Sequence, residues 1–238
     1  MTESAPDAKK KFELSPGVAI LLAGALIAGA IVFVNTHPAP AAVADAAAAQ
    51  AAPGTVNVRA PSASDHIIGS PTAPIVLIEY ADFQCPFCSL IYPSLKNIVD
   101  NSNGQIAWVY REFPLTSIHP QAGPAATAAE CIAAQLGNKG FWEYADAVFN
   151  NQSLLTPQYS AQLAAQFGAD PQKFAQCVSA NTYQSVIETD TAEAEQNGGQ
   201  GTPFTIVYNT KTHKGTPISG AQPQSQIEAV IQSVEQGQ

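Results

Sequence analysis

The chain has 238 residues, 46% of them hydrophobic, and a formal net charge of −9 at pH 7, enough apolar material for a membrane segment and one globular domain with its own core. Three of the ten basic and three of the nineteen acidic residues lie in the first 15 positions, so the remainder carries seven positive against sixteen negative side chains. That balance argues against a nucleic-acid partner, and no glycine-rich phosphate loop or basic patch is present to offset it.

Residues 1–15 read as a cytoplasmic tail. Between Glu13 and Asp45 there is no Asp, Glu, Lys or Arg, and "PGVAILLAGALIAGAIVFV" is apolar or small throughout, close to the ~20 residues that cross a bilayer as a helix. One transmembrane helix is expected over 16–35. A cleaved signal peptide is the alternative, since "AVADA" offers small residues of the cleavage type, but the apolar run exceeds the usual core of roughly 7–15 residues, so an uncleaved signal anchor is the expectation. Lys9, Lys10 and Lys11 precede the helix and the next basic residue is Arg59, which places the N-terminus in the cytoplasm and everything later outside. Residues 36–64, rich in Ala and Pro, read as a linker in which "TVNV" is a candidate short strand.

The globular part is expected at 65–238. "APIVLIEYADF" is a β-branched apolar run of the kind that forms a strand covered on both faces. Helical spacing begins at Pro86, with Leu90, Ile91, Leu95, Ile98 and Val99 able to share a stripe and Pro93 expected to kink the helix. "QIAWVYREF" is a second strand. A helical block of four or five helices follows over about 116–198, where "TPQYSAQLAAQFG" and "DPQKFAQCVSAN" each open with an N-cap residue and a proline at the first helical position. "GTPFTIVYN" and "TPIS" form a hairpin around "TKTHKG". Ile227, Val230, Ile231 and Val234 then mark an amphipathic helix. The order is that of an α/β domain with an all-helical insertion.

Cys85 and Cys88 fall where the first strand ends and its helix begins. A thiolate is the attacking species in disulfide exchange, and the free N–H groups and positive dipole end of a helix's first turn favour a negative sulfur at Cys85. Two intervening residues bring Cys88 about one turn on, so Cys85 is expected to be the exposed nucleophile and Cys88 the buried partner that resolves it, with Pro86 stiffening the ring. A zinc site would need two further ligands, and Cys131 and Cys177 stand singly in the sequence. A structural bridge over two residues would constrain the unfolded chain very little.

"PTAPIVLIEYADFQCPFC", "FWEYADAVF" and "GTPF", in this order over about residues 65–236, resemble the DsbA-like branch of the thioredoxin superfamily, the exported thiol-disulfide oxidoreductases. The resemblance implies a thioredoxin fold with an all-helical insertion, here preceded by the N-terminal transmembrane helix. By position it makes Cys85 the nucleophile, Cys88 the resolving cysteine, Pro93 the kink proline, and Thr202 with Pro203 the cis-proline loop beside the disulfide. In that loop substrate backbone adds as a strand, and Pro86 and Phe87 join Thr202 and Pro203 in the substrate-binding surface. Glu79 matches a buried glutamate that exchanges a proton with Cys88; the residues alone agree, because a carboxylate in a doubly covered strand is desolvated, although a strand-end glutamate reaching water is the other reading. At Phe87 the best-known strong oxidants of the family carry histidine, so this chain lacks a cation that helps the thiolate.

Cys131 and Cys177, both on helices of the insertion, are expected to form a structural disulfide in an oxidising compartment, the alternative being two buried thiols. His119, Arg111 and Glu112 are polar candidates, with His119 expected to cap a loop. His37, His66 and His213 fall in linker or turn contexts. Trp142 with Phe141, Tyr144 and Phe149 is expected in the core. The functional expectation is a membrane-anchored oxidase that introduces disulfides into exported proteins. It needs no metal or bound cofactor, because the two sulfurs carry the electrons, and the resemblance implies reoxidation by a quinone-linked membrane partner. The rivals are a reductase or isomerase using the same residues, and a redox-inert peptide-binding or chaperone module.

Overall fold

A computed structural model describes residues 54–237. The expected tail, the transmembrane segment at 16–35 and most of the linker lie outside the described residues, and no helix among the described residues is long and apolar enough to cross a membrane. The strands are β1 (Gly54–Thr55), β2 (His66–Ile68), β3 (Ile75–Ala81), β4 (Ile106–Glu112), β5 (Phe204–Asn209) and β6 (Lys214–Ser219). The helices are α1 (Pro86–Asp100), α2 (Ala122–Asn150), α3 (Pro157–Phe167), α4 (Pro171–Ser179), α5 (Gln184–Gln196) and α6 (Gln224–Gln236).

The six strands form one sheet in the order β1-β6-β5-β3-β4-β2, with β3 parallel to β4 and every other neighbouring pair antiparallel. All seven residues of β3 are buried, as its unbroken apolar run requires of a central strand with both faces covered. Its alternate side chains separate into two cores: Ile75, Leu77 and Ala81 pack with apolar residues of α1, α2 and α6, whereas Val76, Ile78 and Tyr80 pack with Phe204, Ile206 and Ala194 of α5. Each large apolar side chain so covered contributes about 1.5–3 kcal/mol.

The helix ends follow local chemistry. Thr156 and Asp170 accept hydrogen bonds from the first turns of α3 and α4, each with proline at the helix start, satisfying N–H groups that have no partner within the helix. The glycine stop at Gly137 is a break inside α2 rather than a loop, with a φ of 70° that glycine adopts without strain. By contrast α1 runs through Pro93 to Asp100 with no such break in its helical dihedrals, and Leu90, expected in the buried stripe, is 67% exposed on the same side as Phe87 three residues earlier.

The linker reading also changes at its far end. From Gly54 the chain is docked: β1 pairs with β6, and Arg59 binds Asp190 and Glu193 of α5. The strand near "TVNV" is Gly54–Thr55, at and before the start of that motif. His66 belongs to β2 rather than to a linker or turn: it pairs across from Tyr110, stacks on Phe141 at 3.6 Å, and its Nε2 is 2.9 Å from Glu130 Oε1. His213 does lie in the hairpin turn, 2.7 Å from the Tyr208 hydroxyl. Arg111 is buried in ion pairs with Asp65 and Glu193. Beside it Glu112 is buried with neither carboxyl oxygen partnered, and burial pushes its proton affinity well above the ordinary carboxylate range. Cys131 and Cys177 are bonded, tying α2 to α4 with a Cα–Cα distance of 5.9 Å.

Candidate active site

Cys85 is the N-cap residue of α1, with Pro86 in the first turn, and both Cys85 and Cys88 are free thiols. The two sulfurs are pushed in opposite directions. Cys85 is lowered to about 6, first by a hydrogen bond from the Cys88 thiol, with burial opposing and further help from Thr202 and the backbone N–H groups of Cys88 and Phe87. Cys88 is raised well above the ordinary thiol range, chiefly because it is desolvated, then by its bond to Cys85 and the negative charge of Glu79. One sulfur is thus prepared to ionise near neutral pH and the other to hold a proton.

The expectation of an exposed Cys85 needs correction. Cys85 is only 3% exposed, against 0% for Cys88. The sulfur faces the loop between α5 and β5, donating to the Thr202 carbonyl oxygen at 3.4 Å, while the neighbouring Phe87 is 59% exposed. Thr202, the residue of that loop against the sulfur, is joined to Pro203 by a cis peptide bond. On the other side Gln152, in a short 3-10 turn after α2, donates from its amide to the carbonyl oxygens of Phe83 (3.0 Å) and Cys85 (2.8 Å).

Glu79 is 1% exposed, which rules out the reading of a glutamate reaching water. Burial raises it to about 8, against the opposing effect of the Trp108 indole N–H, which donates to its Oε2 at 3.0 Å. Folded, Glu79 keeps its proton until about pH 8, whereas unfolded it releases it near 4.5. Between those values the folded state binds more protons than the unfolded, so stability falls as pH rises through the window. In the disulfide form, where Cys85 does not titrate, urea denaturation of the wild type is expected to show a loss of stability from pH 5 to pH 8 that Glu79→Gln lacks; equal losses in both would contradict the buried, proton-holding state.

Asp82 is a site residue that sequence patterns did not mark. It is buried, its backbone N–H points at Cys88 Sγ at 3.5 Å, and its Oδ1 accepts from the Gln84 N–H at 2.7 Å. Its Oδ2 lies 2.9 Å from the Leu115 N–H and 2.7 Å from His119 Nδ1. Asp82 thereby fastens the turn before Cys85 to the loop after β4, and His119 serves that loop rather than the sulfurs. Its one sequence signal was adjacency to the Cys-x-x-Cys motif. Phe141, Tyr144 and Phe149 surround Phe83, and Trp142 packs on Trp108 with ring centroids 4.7 Å apart, so these aromatics form core behind the site.

A six-stranded sheet whose first central strand delivers Cys-x-x-Cys to a helix start, facing a cis-proline loop, defines the thioredoxin class. The chain belongs to the thioredoxin family, whose profile matches residues 62–232. Among solved structures it is similar to DsbA2 of Pseudomonas aeruginosa, with 25% identity and a TM-score of 0.61 over 72% of this chain and 94% of that one. It is also similar in fold to BdbD of Bacillus subtilis in its oxidised form, with 20% identity and a TM-score of 0.61 over 76% of this chain and 100% of that one. Among curated proteins it is 33% identical over 153 residues to a protein named Na(+)/H(+) antiporter NhaA 1 of Mycolicibacterium gilvum, and 36% identical over 153 residues to the protein of that name in Mycolicibacterium vanbaalenii. Each alignment covers 63% of this chain, and the chain spans about a quarter, 24%, of the length of those relatives.

Proposed function

We propose that this protein is a thiol-disulfide oxidoreductase that introduces disulfide bonds into exported proteins. The observation that carries the reading is the opposed pair of sulfurs at the start of α1, Cys85 lowered to about 6 and Cys88 raised. In the oxidising direction a substrate thiolate attacks Cys85 Sγ of the Cys85–Cys88 disulfide. The Cys88 thiolate leaves and takes a proton, for which Glu79 is the adjacent buried acid. A second substrate thiolate then attacks the substrate sulfur of the mixed disulfide and Cys85 leaves as a stabilised thiolate. The substrate loses two electrons, which remain in the Cys85–Cys88 dithiol.

Substrate enters as an extended strand against Thr202 and Pro203, replacing the contact that covers Cys85, with the exposed Phe87 and Leu90 as an apolar rim. Main-chain pairing of this kind gives affinity with little sequence preference. The dithiol is reoxidised by a membrane partner of the quinone-linked type. Residues 16–35 anchor the chain in the membrane with the redox domain outside, a placement supported by the apolar run itself and by relatives whose name is that of a membrane antiporter.

A second reading has a specific observation behind it. Phe87 removes the histidine of the strong oxidants, and a thiol lowered to about 6 lies closer to the value of about 7 for thioredoxin than to about 3.5 for DsbA. Equilibration against a glutathione buffer decides. A potential well above about −270 mV, the value for thioredoxin, is expected for the oxidase; one at that value would make the protein a reductase.

A further inference from the structure

Residues 54–59 lie as a strap along the sheet edge and α5. The Asn57 backbone N–H donates to Asn197 Oδ1 at 2.9 Å, and Asn197 Nδ2 donates back to the Asn57 carbonyl at 2.9 Å and to the Glu193 carbonyl at 2.8 Å. Two residues on, the Arg59 backbone N–H and Nε both donate to Glu193 Oε2, at 2.6 and 3.2 Å, and its guanidinium also pairs with Asp190. Glu193 in turn accepts from the Tyr80 hydroxyl at 2.7 Å and from Arg111, whose Nη2 returns to the Arg59 carbonyl at 3.0 Å.

What the strap grips is the fixed end of the cis-proline loop. Asn197 is the C-cap of α5, and Gly199 folds back with its N–H on the Ala194 carbonyl at 2.8 Å. A Cβ at Gly199 would come within 2.9 Å of that backbone oxygen and 3.0 Å of the Phe204 ring, so the turn is tightly seated. Three residues later stands Thr202, whose carbonyl accepts from Cys85 and whose hydroxyl is buried with no hydrogen-bond partner.

We propose that Asn197 and Arg59 are positioning residues of the redox site: by locking the strap onto the last turn of α5 they set where Thr202 stands against Cys85. This rests on the redox reading above. Thr202 standing against the sulfur at 3.4 Å helps to lower Cys85, so a loop released from its strap leaves Cys85 less acidic and its disulfide less oxidising.

The test uses the full chain carrying Asn197→Ala or Arg59→Ala, with Asn197→Asp and Arg59→Lys as milder variants in case the first pair folds poorly. Thiolate absorbance is followed against pH, the glutathione equilibrium is measured, and thermal melting is recorded in parallel. The thiolate midpoint is expected to rise by at least about half a unit, a threefold change in the ionisation constant, and the glutathione equilibrium to move towards the dithiol-disfavouring side by a similar factor, with the milder variants intermediate. Variants that melt earlier yet keep the wild-type midpoint and equilibrium would make the strap merely structural and overturn the proposal. A wild type whose Cys85 titrates as an ordinary thiol and exchanges nothing would instead overturn the redox reading, and the proposal with it.

Discussion

Cys88→Ala is expected to accumulate mixed disulfides through Cys85, and Cys85→Ala to form none. Cys85, lowered to about 6, is ionised to a large degree at neutral pH and attacks readily. The bond it forms with substrate is released either forwards by a second substrate thiol or backwards by Cys88, one helical turn away, and the backward route is the faster. An intramolecular thiol acts at an effective concentration far above that of any free thiol, and well-oriented cases reach about 10⁵ M or more. Deleting Cys88 should therefore lengthen the life of the mixed species by at least about a thousandfold. Non-reducing gels of membranes, followed by intact-mass analysis with and without reductant, read the result directly. Trapping by Cys85→Ala rather than Cys88→Ala would reverse the roles of the sulfurs. No trapping by either, with unfolded chains still bound by the wild type, would favour a redox-inert peptide-binding module.

Removal of the second disulfide should be the largest single loss of stability. Cys131 and Cys177 are 46 residues apart in sequence, and closing a loop of that length restricts the unfolded chain by roughly 4 kcal/mol on the chain-entropy estimate. The bond also ties α4, a short helix with one buried residue, Phe174, to the long α2 that packs behind the redox site. Cys131→Ala with Cys177→Ala is expected to melt roughly 10 °C earlier, at about 2–4 °C per kcal/mol for a domain of this size. The Cys85 thiolate midpoint should not move, because the bond lies in the insertion and neither of its sulfurs contributes to the shift at Cys85. A double variant as stable as the wild type would show that the two thiols pack equally well unbonded.

Much of the fold was legible because its signals are local. A β-branched run reads as β3, an N-cap followed by proline opens α3 and α4, and a 3.6-residue apolar period marks α6. The short edge strands escaped: β2 has three residues, too few for a period, and exists because β4 offers His66, Ile67 and Ile68 an unpaired edge. The docking of residues 54–59 escaped for a similar reason, since its bonds run to α5 more than 130 positions away. In the site, Cys85, Cys88 and Glu79 were visible through a motif and a charge misplaced in an apolar strand. Asp82, Trp108 and Gln152 were not, because nothing in their spacing announces what they touch.

The chain by itself determined the pair of sulfurs, their place at a strand-to-helix junction and the carboxylate upstream, because helix termini and the cost of burying charge act within a few residues. Only the tertiary structure decided how those groups are tuned. Covering Cys85 with Thr202, fully burying Glu79 against Trp108 and fastening the loop through Asn197 and Arg59 all depend on contacts between distant segments. Desolvation, which raises Cys88 and Glu79, depends on everything packed around a group and so exists only once the chain has folded.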